Sequence, residues 1–314
     1  MMRKYVLLGL LLCTPMVGFG QDSDEVSLFH KGLNRFLNVR DFTLSVDGQE
    51  AYFTVQSPAQ DISQLVRIVK ENEEWSEPEL VLLDDSFMNM EPFLTRDGLR
   101  LFFASDRPLV PDDTIQKDFD IWYLERSGLK APWSAPINMG QPVNSELDEF
   151  YPTLSENGNL YFTMDSPEGL GKDDIYRSVW NKGVYSAPEL LSDSINSSGY
   201  EFNAFISPKE DFIIFTKYNE EGGIGSGDLY LSKMGVGGQW EKAKNLGMPI
   251  NTKFMEYCPF YDEQNSVLYF TSRRNSLVSK KFQNLSDFEQ TVNGGENGLS
   301  KLYKVKLSID QLDQ

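Results

Sequence analysis

Short apolar runs alternate with turn-forming clusters along this chain, and the alternation repeats. Residues 91–106, 151–165, 203–217 and 258–272 align with one another, and residues 41–55 form a fifth, weaker copy. Each copy holds a short strand, a turn rich in Gly, Asp or Asn, and a second strand rich in Phe and Tyr, which is the signature of a β-hairpin. Side chains alternate between faces along a strand. Phe53, Phe103, Phe162, Phe215 and Phe270 therefore make one column, expected to be buried between neighbouring units. Tyr52, Phe102, Tyr161, Ile214 and Tyr269 should point to the opposite sheet face.

Two further elements follow in each copy. Asp120-Ile-Trp-Tyr, Asp174-Ile-Tyr-Arg, Asp228-Leu-Tyr-Leu and Lys301-Leu-Tyr-Lys give a third strand, with Gln64-Leu-Val-Arg as its weak first version. Trp75-Ser-Glu-Pro, Trp133-Ser-Ala-Pro, Tyr185-Ser-Ala-Pro and Trp240-Glu-Lys-Ala open a fourth. Four-stranded units in series are propeller blades. No long amphipathic helix is expected. The fourth strand ends in an apolar–Asn pair, at Val143-Asn144, Ile195-Asn196 and Ile250-Asn251, five residues before Glu149, Glu201 and Glu256. The last copy has only three strands, while Leu33-Asn34 stands at the same spacing before Val39. The expected fold is an all-β, five-bladed propeller over residues 21–314, closed by residues 26–34 pairing beside residues 302–305 so that no sheet edge is left open. The alternative, six blades, has no residues left for its extra unit.

The pattern Pro-x-x-Ser-x-(Asp/Asn)-Gly-x-x-(Leu/Tyr)-(Tyr/Phe)-Phe, followed by Ser105-Asp-Arg-Pro108 and Asp174-Ile-Tyr176, resembles the TolB-like (WD-repeat-like) propeller repeat of bacterial envelope proteins. The resemblance covers nearly all of the mature chain; copy one and the Lys209-Glu-Asp211 turn depart from it. It implies an exported or periplasmic scaffold acting through protein contacts, and no particular reaction. TolB itself has an additional N-terminal domain, so its own partners are not carried over.

Residues 1–20 read as a signal peptide. Arg3 and Lys4 precede an apolar stretch, and Gly18-Phe19-Gly20 sets cleavage before Gln21. Cleavage before Cys13, giving an outer-membrane lipoprotein, is the rival reading, although the preceding Leu12 is large for a lipobox. The formal charge of −18 becomes −20 once Arg3 and Lys4 are removed. This disfavours nucleic acid and anionic membrane surfaces, which reward clustered Lys and Arg. No later segment is apolar enough to span a bilayer. The mature chain keeps one cysteine, Cys258, and one histidine, His30, so it is expected to fold without an internal disulfide. Cys258 reads as a small buried thiol.

In a propeller, strand one lines the channel, and the loops leading into it share a face with those joining strands two and three. The lead position of strand one reads Val39, Asn89, Glu149, Glu201 and Glu256 around the ring. Asn89, Glu149, Glu201 and Glu256, with Asp106, Asp165 and Asn219 on the neighbouring loops, are the candidate ligand-binding residues. Hard oxygens gathered at one mouth suit a calcium ion or a polar ligand; alternatively, each carboxylate accepts backbone N–H bonds between blades. Calcium is the one cofactor considered, and the Asp-x-Asp-x-Asp-Gly calcium motif is absent. The Gly-rich loops 167–174 and 220–228 read as tight turns. The loop 275–300 is long enough to be functional or disordered. Some five-bladed propellers are glycosidases, which need two carboxylates in distinct environments; here the copies are alike and no catalytic residue is assigned. The function expected is an exported, monomeric, non-enzymatic binding or scaffold propeller mediating protein–protein contacts in the cell envelope. The alternative is a glycoside hydrolase or carbohydrate-binding propeller using channel-mouth carboxylates. The partner is then an envelope protein or a glycan, and the compartment the periplasm, with secretion as the alternative.

Overall fold

The computed structural model describes residues 25–83, 85–110 and 116–313, so the leader, Cys13 and the cleavage site lie outside the described residues. Five sheets form a five-bladed β-propeller. Blade one comprises Asn38–Leu44, Glu50–Gln56, Ser63–Glu71 and Glu79–Leu80. Blade two comprises Asn89–Leu94, Arg100–Ser105, Asp120–Glu125 and Ile137–Asn138. Blade three has Glu149–Leu154, Leu160–Asp165, Asp173–Ser178 and Glu189–Leu190, and blade four Glu201–Ile206, Phe212–Tyr218, Gly227–Lys233 and Lys244–Asn245. Blade five takes Glu256–Asp262, Val267–Ser272 and Lys301–Lys306 from the end of the chain and Ser27–Leu28 from its beginning.

Ring closure follows the expected direction but is shorter. Only Ser27 and Leu28 pair, opposite Lys304 and Tyr303, and Lys31–Arg35 turns into a 3-10 helix. Every other fourth strand named above is also two residues long. The apolar–Asn pair supplies the reason. The Asn144 side chain accepts from the Ile121 N–H at 3.0 Å and donates to its carbonyl at 2.9 Å. Asn196 does the same to Ile175, and Asn251 to Leu229. An amide side chain thus completes the ladder in place of a peptide group, and the backbone is free to turn. At the closure the backbone does this itself: Phe29 N–H donates to the Leu302 carbonyl at 2.9 Å. Val39 N–H donates to the Ser300 carbonyl, and the Lys301 ammonium donates to the Phe36 carbonyl.

The five Phe of strand two are fully buried, as expected. Their partner column is buried as well, because both faces of every sheet are covered. Phe103 of blade two packs in one cluster with Tyr52 of blade one. Phe162 meets Phe102, Phe215 meets Tyr161, Phe270 meets Ile214, and Phe53 meets Tyr269 across the closure. Each blade therefore offers a Phe backwards and a Tyr, Phe or Ile forwards.

Two features depart from expectation. An eight-residue helix, Leu285–Val292, capped by the Asn284 side chain, sits in the 275–300 loop with none of its residues buried. A short hairpin, Trp180–Asn181 with Val184–Tyr185, follows the third strand of blade three, as Glu74–Trp75 folds back on the third strand of blade one. Both elements are too short for apolar periodicity to distinguish them from loop. The Gly-rich loops are tight turns: a Cβ on Gly225 would lie about 2.1 Å from the Phe254 carbonyl oxygen. The loop 220–228 is held instead by Asp228, whose carboxylate accepts from Ile224 and Gly225 N–H.

The closing segment should matter as much as any blade core. Phe29 is buried against Phe42, Trp75 and Tyr269. Phe29→Ala is expected to cost about 3–5 kcal/mol, similar to Phe162→Ala, in chemical denaturation. A loss below about 1 kcal/mol would show that the ring holds without this segment.

Candidate functional site

The lead-position residues are fully buried, and each carboxylate is taken up locally. Glu149 accepts from the N–H of Ser145 at 3.1 Å and from its hydroxyl. Glu201 accepts from Ser197 in the same way, and Glu256 from Thr252. The carboxylate thus fixes the Ser or Thr that follows the apolar–Asn pair. The cation at the end of strand two completes this arrangement. Arg107 of the Ser-Asp-Arg-Pro segment donates to Asn89 at 2.6 Å, Lys217 to Glu201 at 3.1 Å, and Arg274 stands 3.6 Å from Glu256. Arg107 and Arg274 also lie over the rings of Phe103 and Phe270, so the motif arginine ties the blade core to the incoming loop. Asp106 accepts from Met88 N–H at 2.8 Å, and Asn219 N–H donates to the Ser226 carbonyl at 2.9 Å. Asp165 is exposed and faces Asp173 across the ladder. These positions fit the structural reading of the repeat. Among the described residues no three His, Cys, Asp or Glu side chains are placed to share a metal ion.

The concavity at this mouth is lined by the residues one step further along. Arg40, Met90, Phe150, Phe202 and Tyr257, all following the lead position, wall one cup of about 300 Å³. Phe119, Asp148, Asp173, Met255 and Arg273 stand at its rim, and Glu91 and Asn203 belong to its floor. Period-two alternation explains the offset: a lead side chain that turns into its loop leaves its successor facing the channel. What the sequence does not show is the bulge that comes next. In all five blades the strand-one register shifts at this point. The bulge residue takes positive φ: Asp41 at 57°, Glu91 at 62°, Tyr151 at 54°, Asn203 at 52° and Cys258 at 53°. Non-Gly residues enter this region rarely, and five equivalent cases mark a shared constraint.

These five bulge residues form the channel's polar plug. Arg40 donates to Asp41 and to Glu91, at 2.6 and 2.7 Å. Asn203 donates to Glu91 at 3.3 Å, and the Cys258 thiol donates to Asn203 at 3.3 Å. The bulge N–H groups need acceptors from the preceding blade. Asp41, Glu91 and Asn203 use the hydroxyls of Thr271, Thr54 and Thr163, the residue after each strand-two Phe. Blade two has Ala104 there, and Tyr151 N–H instead donates to the Glu91 carboxylate at 2.7 Å. Glu91 thus has three partners and no free oxygen. The other channel mouth is an apolar recess of about 60 Å³ lined by Leu44, Phe93, Leu154, Phe205 and Phe260 among others. The cup is therefore a blind pocket.

Burial disfavours charge throughout the plug. It works against the Arg40 guanidinium, yet the groups around it, with Asp41 foremost, hold it well above its ordinary value. Burial raises Glu91 against the pull of Arg40, and raises the Cys258 thiol, which leaves it an inert core group. At the rim, burial together with Asp165, Asp174 and Asp148 pushes Asp173 up to about 6. Glu149, with Met164 opposite it where Glu201 has Lys217, is pushed up to about 7 by burial, with Asp120 and Asp118 adding to the rise against the Ser145 bonds.

Two outcomes follow from this electrostatic arrangement. Arg40→Met should destabilise by about 3–5 kcal/mol, because Asp41 and Glu91 are left buried without their cation; retention of wild-type stability would mean that the plug is neutral. For Glu149 the folded value lies above the unfolded one near 4.5. Its protonation therefore favours the fold: this stability is complete below about pH 4.5 and is lost as pH rises through about 7. Unfolding titrations should show Glu149→Gln flattening that decline, and an unchanged profile would remove Glu149 as its source.

No family model matches the chain, and no curated protein matches it in sequence. Its fold is found among solved structures. An α-L-arabinofuranosidase from Podospora anserina is 10% identical over 86% of this chain and 90% of that one, with a TM-score of 0.52. A glycoside hydrolase is 10% identical over 85% and 86%, with a TM-score of 0.55. A provisionally assigned TolB from Agrobacterium tumefaciens is 14% identical over 86% and 91%, with a TM-score of 0.48. At these identities the likeness is one of fold alone: the chain is a β-propeller.

Proposed function

We propose that the chain is an exported, non-enzymatic binding propeller of the cell envelope, and that it engages its partner through the channel-mouth cup. The observation that carries this reading is that five equivalent side chains, one per blade, wall a single pocket above a floor whose polar groups are bonded to one another. Such a floor is rigid and recognises shape and polarity. A cup of about 300 Å³ lies at the small end of ligand pockets. It suits one projecting group, such as a side chain at the tip of a partner's loop, gripped between Phe150, Phe202 and Met90 and met by Arg273. That arginine is held by Gln60 and Ser300 at 3.2 Å each and stands over the Tyr257 ring.

Glycoside hydrolysis is the second reading, favoured by the carboxylates Asp148 and Asp173 at the rim and by the neighbours with that activity. Against it, Glu91 on the cup floor already accepts from Arg40, Asn203 and the Tyr151 N–H, bonds that hold both of its oxygens within the plug.

A photo-crosslinking residue at position 202, inside the cup, should trap one partner from envelope fractions. The same group at position 47, on the opposite face, should not trap it, and Arg273→Gln should weaken the trapping. Equal trapping from both positions would place the working surface elsewhere. Release of sugar from aryl glycosides by the wild type, abolished in Asp148→Asn or Asp173→Asn, would replace this reading with the hydrolase.

A further inference from the structure

A larger concavity lies on the opposite face, away from the cup. Between blades two and three, the hairpin turns at residues 95–100 and 155–158 and the loops that follow both third strands enclose about 1000 Å³. The groove begins near the channel axis at Phe93 and Leu154 and reaches the rim at Trp180. That path crosses a blade from its first strand to its fourth, three strand spacings or about 14 Å.

Its walls are aromatic, and the rings are fixed in advance. Trp133 donates its indole N–H to the Tyr52 hydroxyl at 3.3 Å, and the Arg126 guanidinium lies 4.4 Å from its ring centre. Arg126 is itself locked, at 2.6 Å from Glu50 and 2.7 Å from the Gly98 carbonyl. Across the groove, the Tyr185 hydroxyl donates to the Gly158 carbonyl at 3.1 Å, and the Trp180 ring stands 4.8 Å from that of Tyr185. Both rings stand on the short hairpin that follows the third strand of blade three, where Trp180 pairs with Tyr185 and is left 39% exposed. One side of the Trp180 ring packs on Gly158 and Tyr185, and the remainder of its surface is open to the groove.

The polar groups of the groove carry both signs. Asp97, Glu125 and Glu156 share it with Arg96 and Arg100, and Arg100 meets Glu125 only loosely, at 3.8 Å. Arg126 adds a third guanidinium to the lining, so an anionic ligand would meet three carboxylates and a cationic one three guanidinium groups. A neutral ligand rich in hydroxyls satisfies both, because a hydroxyl donates to carboxylate and accepts from guanidinium. Rings with an apolar C–H face and an edge of hydroxyls also match aromatic walls with a polar rim. We infer that the groove between blades two and three binds a neutral oligosaccharide, stacked on Trp180 and Trp133 and bonded through Asp97 and Arg100. Its length admits a chain of about three linked rings. The fixed walls lower the ordering cost of binding.

The two tryptophans of the groove provide the readout. Mature protein titrated with a panel of neutral tetrasaccharides (cello-, xylo-, manno- and chito-oligosaccharides) should show quenching of tryptophan fluorescence by at least one. Trp180→Ala, a change at a partly exposed side chain, should weaken that binding about tenfold or more, and Asp97→Asn should weaken it with the indole intact. Phe202→Ala in the cup should leave it unchanged, which separates this site from the function proposed above. The inference is overturned if no member of the panel binds, if only uronic or sulfated oligosaccharides or peptides do, or if Trp180→Ala and Asp97→Asn bind as tightly as the wild type.

Discussion

The propeller rests on one repeated contact, the packing of each blade's strand-two Phe against the partner column of the blade before it. Burying such a ring contributes about 1.5–3 kcal/mol, and each blade supplies one half of two such contacts. A lone four-stranded sheet of this chain would leave apolar side chains bare on both faces. The blades stabilise one another only as a ring, so the closing contact, in which Phe53 meets Tyr269 across the joint, has the same standing as the four within the chain. The other repeated devices keep that ring in register. The Asn side chains finish the third strands, the carboxylates at the head of strand one fix the incoming loops, and the cations after strand two join those loops to the blade cores.

Much of this was legible because it is periodic. Four strands per blade, the buried Phe column, the blade count and the direction of closure all follow from spacing. The position of the channel-mouth cup was legible only to within one residue. Glu149, Glu201 and Glu256 attract attention as carboxylates, but their repetition reflects a repeated structural need. The residue that follows each of them varies, from Arg40 to Met90, Phe150, Phe202 and Tyr257, and variation around a ring is what builds a pocket with distinct walls. The bulge that turns Asp41, Glu91, Tyr151, Asn203 and Cys258 inward is a backbone event with no residue signature of its own. The Pro that follows Glu91, Tyr151 and Cys258 is its one trace in the sequence. Short elements were hidden for a different reason: an eight-residue helix and a two-plus-two hairpin contain too few periods for a pattern to emerge.

The two faces of the disc are chemically unlike, and the axis between them is blocked. On one side an ion network forms the floor of a compact cup. On the other, apolar side chains stopper the channel, and a long aromatic groove runs outwards from the stopper. The groups in the plug are bonded to each other, so neither face reads the other through a shared passage, and each can be altered without reshaping its counterpart.

The joint in blade five also sets an order of events. Ser27 and Leu28 pair with residues that come almost last in the chain, Lys304 and Tyr303. A ribosome delivers the chain from its N-terminus, so the first strand waits, unpaired, until residues 303 and 304 have been made. Blades one to four can assemble side by side as they emerge, but none of their cores is sealed at both ends of the row until residues 301–306 arrive. Contacts this distant in sequence slow folding, and the open edges persist meanwhile. Until residues 301–306 arrive the ring is an unclosed arc, its first and last blades each lacking a neighbour.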